Sequence, residues 1–407
     1  MKKKKVLVLA STYPRWQGDY EPGFVHELAK RLVTDFEVTV LCPSADGAMK
    51  IEQMEGVTVC RYRYAPAGAE TLVNGGGIIS NLRQHSWKWI LVPGFYLAQI
   101  LAVRKLIRTF KPDVIHAHWL IPQGLAIAIL CRLSLNTTPF VVTSHGADLF
   151  ALRSPLFAKL KKFVARYAVS LTTVSSVMKE ELICLGVDSS KVDVCPMGVD
   201  LQNTFVPNLQ KNRCINEILF VGRLVEKKGL RYLIEAMVSV RHKFPDAYLS
   251  IIGFGPELSA LKNLTSTLGI AEYVNFLGAK EQRELPSYYQ SAAVFVAPFI
   301  KAENGDQEGL GLVVVEALGC GCPVIISDLP ACRDITNGIN AVQLVQEANV
   351  EALNHAICES LLKVELLSKQ VFSASAELKN RFDWVSVAKT YSEILSKACS
   401  NNSQSVQ

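Results

Sequence analysis

The sequence predicts an α/β protein of two doubly wound domains in tandem, facing each other across a cleft. Three observations predict it. Through residues 1–200, short apolar runs rich in Val, Ile and Leu alternate with segments of helical period, the pattern of a parallel sheet covered by helices. The alternation lapses over 201–216 (LQNTFVPNLQKNRCIN), which is polar and aperiodic, and restarts over 217–380. Polar, glycine-bearing motifs follow strands in both halves, and in such sheets ligands sit beyond the carboxyl ends of the strands.

The bulk properties agree. A chain of 407 residues is long enough for two domains of ordinary size, and 49% hydrophobic with 20% charged residues excludes a disordered chain. The net charge of +6 is mild, and leaves room for an anionic partner such as a diphosphate or an acidic lipid surface. The eleven cysteines are an odd number without ligand spacing, and Cys320 and Cys322 stand one residue apart in a glycine turn, which excludes a structural zinc site there. They read as reduced, mostly buried thiols of a cytoplasmic chain.

In chain order, the apolar run Val6–Ala10 is too short for a signal sequence, so Lys5–Ala10 is read as a first core strand. Phe24, Leu28 and Leu32 stand at helical spacing, and Glu37–Cys42 and Val57–Arg63 are strands. A glycine-rich break follows at Asn74–Gly77. The run 89–103 (WILVPGFYLAQILAV) is about 15 residues, short of the roughly 20 that span a membrane. Its first reading is a buried helix. The second is a face lying on an anionic membrane surface, flanked by Lys88, Arg104, Lys105 and Arg108. Helical period runs from Pro93 to Phe110. Strands at Val114–Ala117, Phe140–Thr143, Ser170–Val174 and Val192–Cys195 alternate with helices at Gly124–Leu133, Leu156–Tyr167 and from Ser175 or Ser176, either of which suits an N-cap.

In the second half, strands are expected at Ile218–Gly222, Tyr248–Gly253, Val274–Leu277, Ala293–Ala297 and Val324–Ser327. Helices are expected at Gly229–His242, Glu257–Leu268 and Leu285–Gln290. Leu312–Gly319 carries strand-forming valines but lies between two buried strands, and parallel neighbours need a crossover helix. It is read as that helix. The chain is helical from Val350. A last amphipathic helix over 381–400 is expected to return to the first domain, with 401–407 as a disordered tail.

Four motifs carry chemistry. Glu308-Gly309-Leu310-Gly311 opens the helix bearing Glu316; its glycines permit close approach of a ligand to backbone N–H groups, and the two carboxylates are acceptors for sugar hydroxyls and for a second diol such as a ribose. Gly222-Arg223-Leu224-Val225-Glu226-Lys227-Lys228-Gly229 leaves a strand, and Arg223 and Lys228 together suit a diphosphate, while Lys227 is expected to face solvent. Ser144-His145-Gly146-Ala147-Asp148 follows a strand in the other domain, with His145 set for a reacting carbon and Asp148 for an acceptor hydroxyl. Gly253–Glu257, with Gly255, reads either as a nucleotide contact or as a plain strand-to-helix turn, since it lacks a third glycine. In the long loop Ser11–Gly23, Gly18 or Gly23 suits a phosphate. His116 and His118 of HAHW lack an accompanying carboxylate cluster and are read as structural.

Taken in this order, the motifs resemble the family 4 retaining glycosyltransferases of GT-B architecture, with two Rossmann-like domains, over nearly the whole chain. The two glutamates separated by seven residues, the GRLVEKKG turn, the GxGPE turn and GCGCPVI carry the resemblance. It implies that Glu308 holds the donor sugar, Glu316 the ribose, Arg223 and Lys228 the diphosphate, and that His145 lies near the anomeric carbon. It implies transfer of a hexose from a UDP- or GDP-linked sugar to a glycan or lipid-linked acceptor, with configuration retained. No metal and no cofactor beyond the donor is implied, and no nucleic acid. The sequence departs from the family after 327, where Leu329–Asp334 and Asn340-Ala341 replace glycine-rich turns, so the donor sugar stays open. An epimerase or hydrolase of the same architecture, or a silent sugar-nucleotide-binding subunit, is the alternative.

Overall fold

Most strands of the two sheets are runs of aliphatic residues buried on both faces, as helices covering both sides of a parallel sheet require. The computed structural model describes residues 2–19, 23–73, 77–208, 210–339 and 341–404. They form two units, Met1–Met197 with Val387–Gln407, and Gly198–Ser386. The division falls before the polar stretch 201–216, and the last residues of that stretch already belong to a strand that begins at Cys214.

The first unit contains β1 (Lys4–Leu9), β2 (Phe36–Pro43), β3 (Ile51–Met54), β4 (Val57–Tyr62), β5 (Val114–His118), β6 (Phe140–Ser144), β7 (Ser170–Thr173) and β8 (Val192–Val194). Their order is β3-β4-β2-β1-β5-β6-β7-β8, and every pairing is parallel except β3 with β4. β3 was not expected. It is a half-exposed edge strand, joined to β4 by Glu55-Gly56, both at positive φ (47° and 84°), as a two-residue hairpin demands. The order reverses at β1, between β2 and β5, so the loops after β1 and β5 leave the sheet at its switch point.

The second unit contains β9 (Cys214–Val221), β10 (Tyr248–Ile252), β11 (Val274–Gly278), β12 (Ala292–Ala297), β13 (Val324–Ser327) and β14 (Val342–Val345), all parallel in the order β11-β10-β9-β12-β13-β14. The switch point lies between β9 and β12. Phe220, Leu233, Met237, Val294 and Ile357 sit in its core. Leu312–Gly319 is the crossover helix between β12 and β13. β14 escaped the sequence reading because only Val345 of its four residues is buried, and Pro330–Thr336 is a helix with proline at its first position.

Two other expectations are corrected, and a third is met in position only. Leu91–Phe110 is a helix, but only Phe95, Gln99 and Val103 are buried in the described unit, which excludes the buried-helix reading. Phe95 packs on Tyr62 and Tyr64, while Trp87, Trp89, Ile90, Leu97 and Leu101 are exposed. By length and composition alone, Ser86–Thr109 is long and apolar enough to cross a membrane. Ser175 takes the N-cap of Ser176–Cys184 but makes no side-chain cap, its Oγ buried without a partner among the described residues. The last helix spans Trp384–Gln404, so the expected tail begins inside a helix; 405–407 lie outside the described residues, as do 74–76 and Asn340 of the two glycine or turn breaks. From Val387 on, this helix belongs to the first unit, where Tyr391 donates to the Cys195 carbonyl (3.0 Å). Ten of the eleven cysteines are buried or partly so, Cys184 is exposed, and all are free.

Candidate active site

In the second unit, β9 and β12 are neighbours, so the turn after β9 and the loop after β12 leave the same end of the sheet. The two are bonded together. Ile300 donates its N–H to the Lys227 carbonyl (2.9 Å). Gly229 has φ +63°, and a Cβ there would lie 1.8 Å from the Pro298 carbonyl oxygen, so glycine alone allows this approach. Lys228 then reaches Glu308, Nζ to Oε2 2.7 Å, with its ammonium 4.2 Å from the centre of the Phe299 ring. Two residues singled out separately in the sequence are therefore one ion pair, with side chains 12% and 16% exposed.

Burial raises the Glu308 pKa, but Lys228 and Lys227 outweigh it and hold the carboxyl at about 2, helped by the Gly309 N–H. Lys227 does not face solvent: its Nζ lies 3.2 Å from Asp306 Oδ1 and 3.2 Å from the Gln307 carbonyl, which pins the loop. Arg223 is partly buried directly beyond the end of β9. Leu310 turns its side chain into the protein, so only its backbone is offered to a ligand. Gly311 takes φ +92° as the N-cap of the helix bearing Glu316.

Glu316 is buried within that helix and accepts a hydrogen bond from the Tyr289 hydroxyl (3.0 Å). Burial pushes its pKa up to about 7, against the lowering pull of Tyr289 and Lys228. The two glutamates are thus set apart electrostatically, one firmly ionised and the other poised near neutrality. Gly255 has a packing reason to be glycine: a Cβ there would lie 2.3 Å from the Leu224 carbonyl oxygen. Leu224 donates to the Phe254 carbonyl (2.8 Å), and Gly222 to that of Ile252 (3.0 Å), so the GxGPE segment is a turn that backs the Arg223 turn.

In the first unit, His145 follows β6 and touches Phe24, Trp119 and His118, with ring centres 4.9, 5.0 and 5.2 Å away. Burial drives its pKa down to about 3, so the ring is neutral. Asp148 is buried, and its oxygens accept from Leu120 N (2.7 Å), Ser144 Oγ (3.0 Å) and His145 N (3.2 Å), so in this structure it fastens the His145 turn. Gly18 has φ +83° in a turn beside the Arg15–Asp19 ion pair, and Arg61 holds the same loop through the Pro14 carbonyl (2.8 Å). Gly23 is the N-cap of Phe24–Leu32, whose first-turn N–H groups lack helical partners.

A family model described as glycosyl transferases group 1 matches residues 203–375, and one described as glycosyltransferase family 4 matches residues 24–203. The chain belongs to this glycosyltransferase family. Relatives of the glycosyltransferase include a phosphatidyl-myo-inositol mannosyltransferase of Mycobacterium leprae, 29% identical over 72% of this chain and 75% of its own length. The amylovoran biosynthesis glycosyltransferase AmsK of Erwinia amylovora is 28% identical over 74% of each chain. Among solved structures, sucrose-phosphate synthase of Thermosynechococcus elongatus superposes with a TM-score of 0.77 at 18% identity, covering 97% of this chain and 99% of that one. Anabaena HepE, solved with UDP, gives 0.74 at 18% identity over 97% and 100%. At such identity the likeness carries the fold alone, two Rossmann-like domains of GT-B type.

Sequence reading missed Tyr289, Phe299 and Asp306, the partners of Glu316, Lys228 and Lys227. None has a motif of its own. It also set aside His118, whose position at the end of β5, between β1 and β6, was the available signal.

Proposed function

We propose that the glycosyltransferase moves a hexose from a UDP- or GDP-linked sugar to a hydroxyl of a glycan or glycolipid, with retention and without a metal. The Lys228–Glu308 pair at the β9/β12 switch point carries this reading, because doubly wound sheets bind nucleotides there. In the proposed reaction the bond from the anomeric carbon to the diphosphate breaks, and Arg223 and Lys228 take up its charge. The acceptor oxygen bonds the same face, and its proton passes to the departing phosphate. Glu308 holds sugar hydroxyls, Glu316 the ribose, and His145 attends the reacting carbon. Gly18 and Gly23 serve the acceptor or phosphate loop. Relatives named for GDP-mannose and a fold neighbour solved with UDP-glucose support both bases as donors to test.

A thermal-shift screen of UDP- and GDP-sugars is expected to raise the melting temperature with one base. With that donor and an acceptor extract, transfer in EDTA should equal transfer without it, and NMR should find the donor's anomeric configuration in the product. An inverted product would overturn retention. Nucleotide release at one rate with and without acceptor would favour the hydrolase reading.

The face left open by Leu91–Phe110 supports a peripheral contact with the anionic inner face of a membrane. Trp87, Trp89, Ile90, Leu97 and Leu101 are exposed, and Lys105 and Arg108 follow on the outer side of the helix. The protein is expected to sediment with phosphatidylserine vesicles at low salt, and Leu97→Ser/Leu101→Ser to reduce the bound fraction several-fold. Absence of sedimentation by the wild type at low salt would end this reading.

A further inference from the structure

His118 ends β5 and His145 follows β6, its paired neighbour, so the sheet brings the two rings together. They stack with planes 15° apart, and His118 Nδ1 lies 2.9 Å from His145 Nε2. At that distance one proton must lie between the nitrogens, because two lone pairs or two N–H groups would repel. Which ring supplies it is decided by the far nitrogen of His118. That nitrogen, Nε2, is buried and meets no partner among the described residues. If His145 donated, His118 would carry its proton on Nε2 as an orphaned buried N–H, which proteins avoid more strictly than an unused acceptor.

We infer that His118 is a positioning residue: its Nδ1–H donates to His145 Nε2 and locks His145 as the tautomer protonated on Nδ1. The surroundings hold His118 for this task. His116 lies against it, ring centres 4.3 Å apart and planes tilted by 41°, and is itself fixed by Thr143 Oγ1 (2.7 Å), which bonds Thr172 Oγ1 (2.6 Å). Gln123, with its amide turned to satisfy both ends, donates to the His118 carbonyl (3.0 Å) and accepts from Ser11 N (2.9 Å). Trp119 next to it takes φ +76°, a conformation costly for a bulky residue, with its N–H on the Thr143 carbonyl (2.7 Å). Burial keeps His116 and His145 uncharged, so a tautomer and not an imidazolium is what the site presents.

The consequence for transfer rests on the assignment of His145 to the reacting carbon: His145 would offer a donor N–H at Nδ1 rather than a lone pair. The test uses the full chain labelled with ¹⁵N-histidine, with His145 signals assigned by their loss in His145→Gln. Long-range ¹H–¹⁵N spectra of the wild type are expected to show Nδ1 protonated and Nε2 bare. His118→Asn, whose amide N–H reaches the place of Nδ1, should keep that tautomer and keep kcat within about threefold. His118→Leu should mix the tautomers and lower kcat about tenfold at unchanged donor KM. A wild-type His145 protonated on Nε2, or an unchanged tautomer in a folded His118→Leu, would overturn the inference. If His118→Leu fails to fold, loss of the Nδ1–H tautomer in His118→Asn would do the same. Full transfer by His145→Ala would remove only the catalytic consequence, and would count against the assignment of His145 itself.

Discussion

Lys228→Ala is expected to lower kcat/KM for transfer ten- to a hundredfold, and to weaken the fold as well. A charge-assisted contact to a phosphate is worth roughly 1.5–3 kcal/mol, which sets that range. The structural part follows from the Glu308 pair. Removing the ammonium leaves a carboxylate, 16% exposed, with Lys227 as its remaining cationic neighbour, and stranding one half of a buried pair costs about 3 kcal/mol. The pH signature separates this from a general defect. In the wild type the low Glu308 pKa adds stability that is complete above its ordinary value of 4.5 and is lost as pH falls from there towards about 2. The variant should lose that acid-range dependence. Lys228→Arg keeps the charge and should keep most of the stability, whereas Arg223→Ala should lower transfer tenfold or more. Near-normal transfer by the alanine variants at both positions, with the fold intact, would sink the assignment of this turn.

Glu316→Gln is expected to stabilise the unliganded protein at pH 8 while weakening donor binding about tenfold. The Glu316 carboxyl goes from 4.5 unfolded to about 7 folded, so the folded state holds its proton longer. Its contribution to stability is therefore greatest below 4.5, declines as pH rises from 4.5 to about 7, and stays low above that. The span corresponds to as much as about 3 kcal/mol. Glutamine removes the titrating charge and still accepts from Tyr289. Urea melts at pH 5 and pH 8 should show the gain at pH 8 only, while donor KM rises because a charged acceptor for the ribose is gone. Equal destabilisation at both pH values would show that burial of the charge is not what perturbs this residue.

Much of the site was legible as residues, and little of it as contacts. Glu308, Lys228 and Arg223 stand out because charge next to glycine at a strand end is a physical anomaly. That Lys228 spans to Glu308, eighty positions on, depends on β9 and β12 being neighbours, and no local pattern states this. Asp148 shows a role that its setting does not state. It resembles a ligand-facing acid in the sequence, and in the fold it is the buried acceptor of three donors, from Leu120, Ser144 and His145. At Gly255 the sequence left a nucleotide contact and a plain turn open, and only the fold shows the Leu224 backbone that requires glycine there.

The helix Leu91–Phe110 is the clearest case of a property that hydropathy cannot assign. The same apolar residues suit a buried helix or an open face, and only the packing of Phe95, Gln99 and Val103 in the described unit tells which side is covered.

By itself, then, the sequence determined two doubly wound domains, the strand ends that carry charge, and the crossover helix over Leu312–Gly319, because alternating period and turn chemistry are local. Tertiary structure alone decided the Lys228–Glu308 pair, the pKa of Glu316 raised by burial, and the meeting of His118 with His145. Each of these depends on which strands lie side by side and on how much water burial removes, and both are set by the whole sheet.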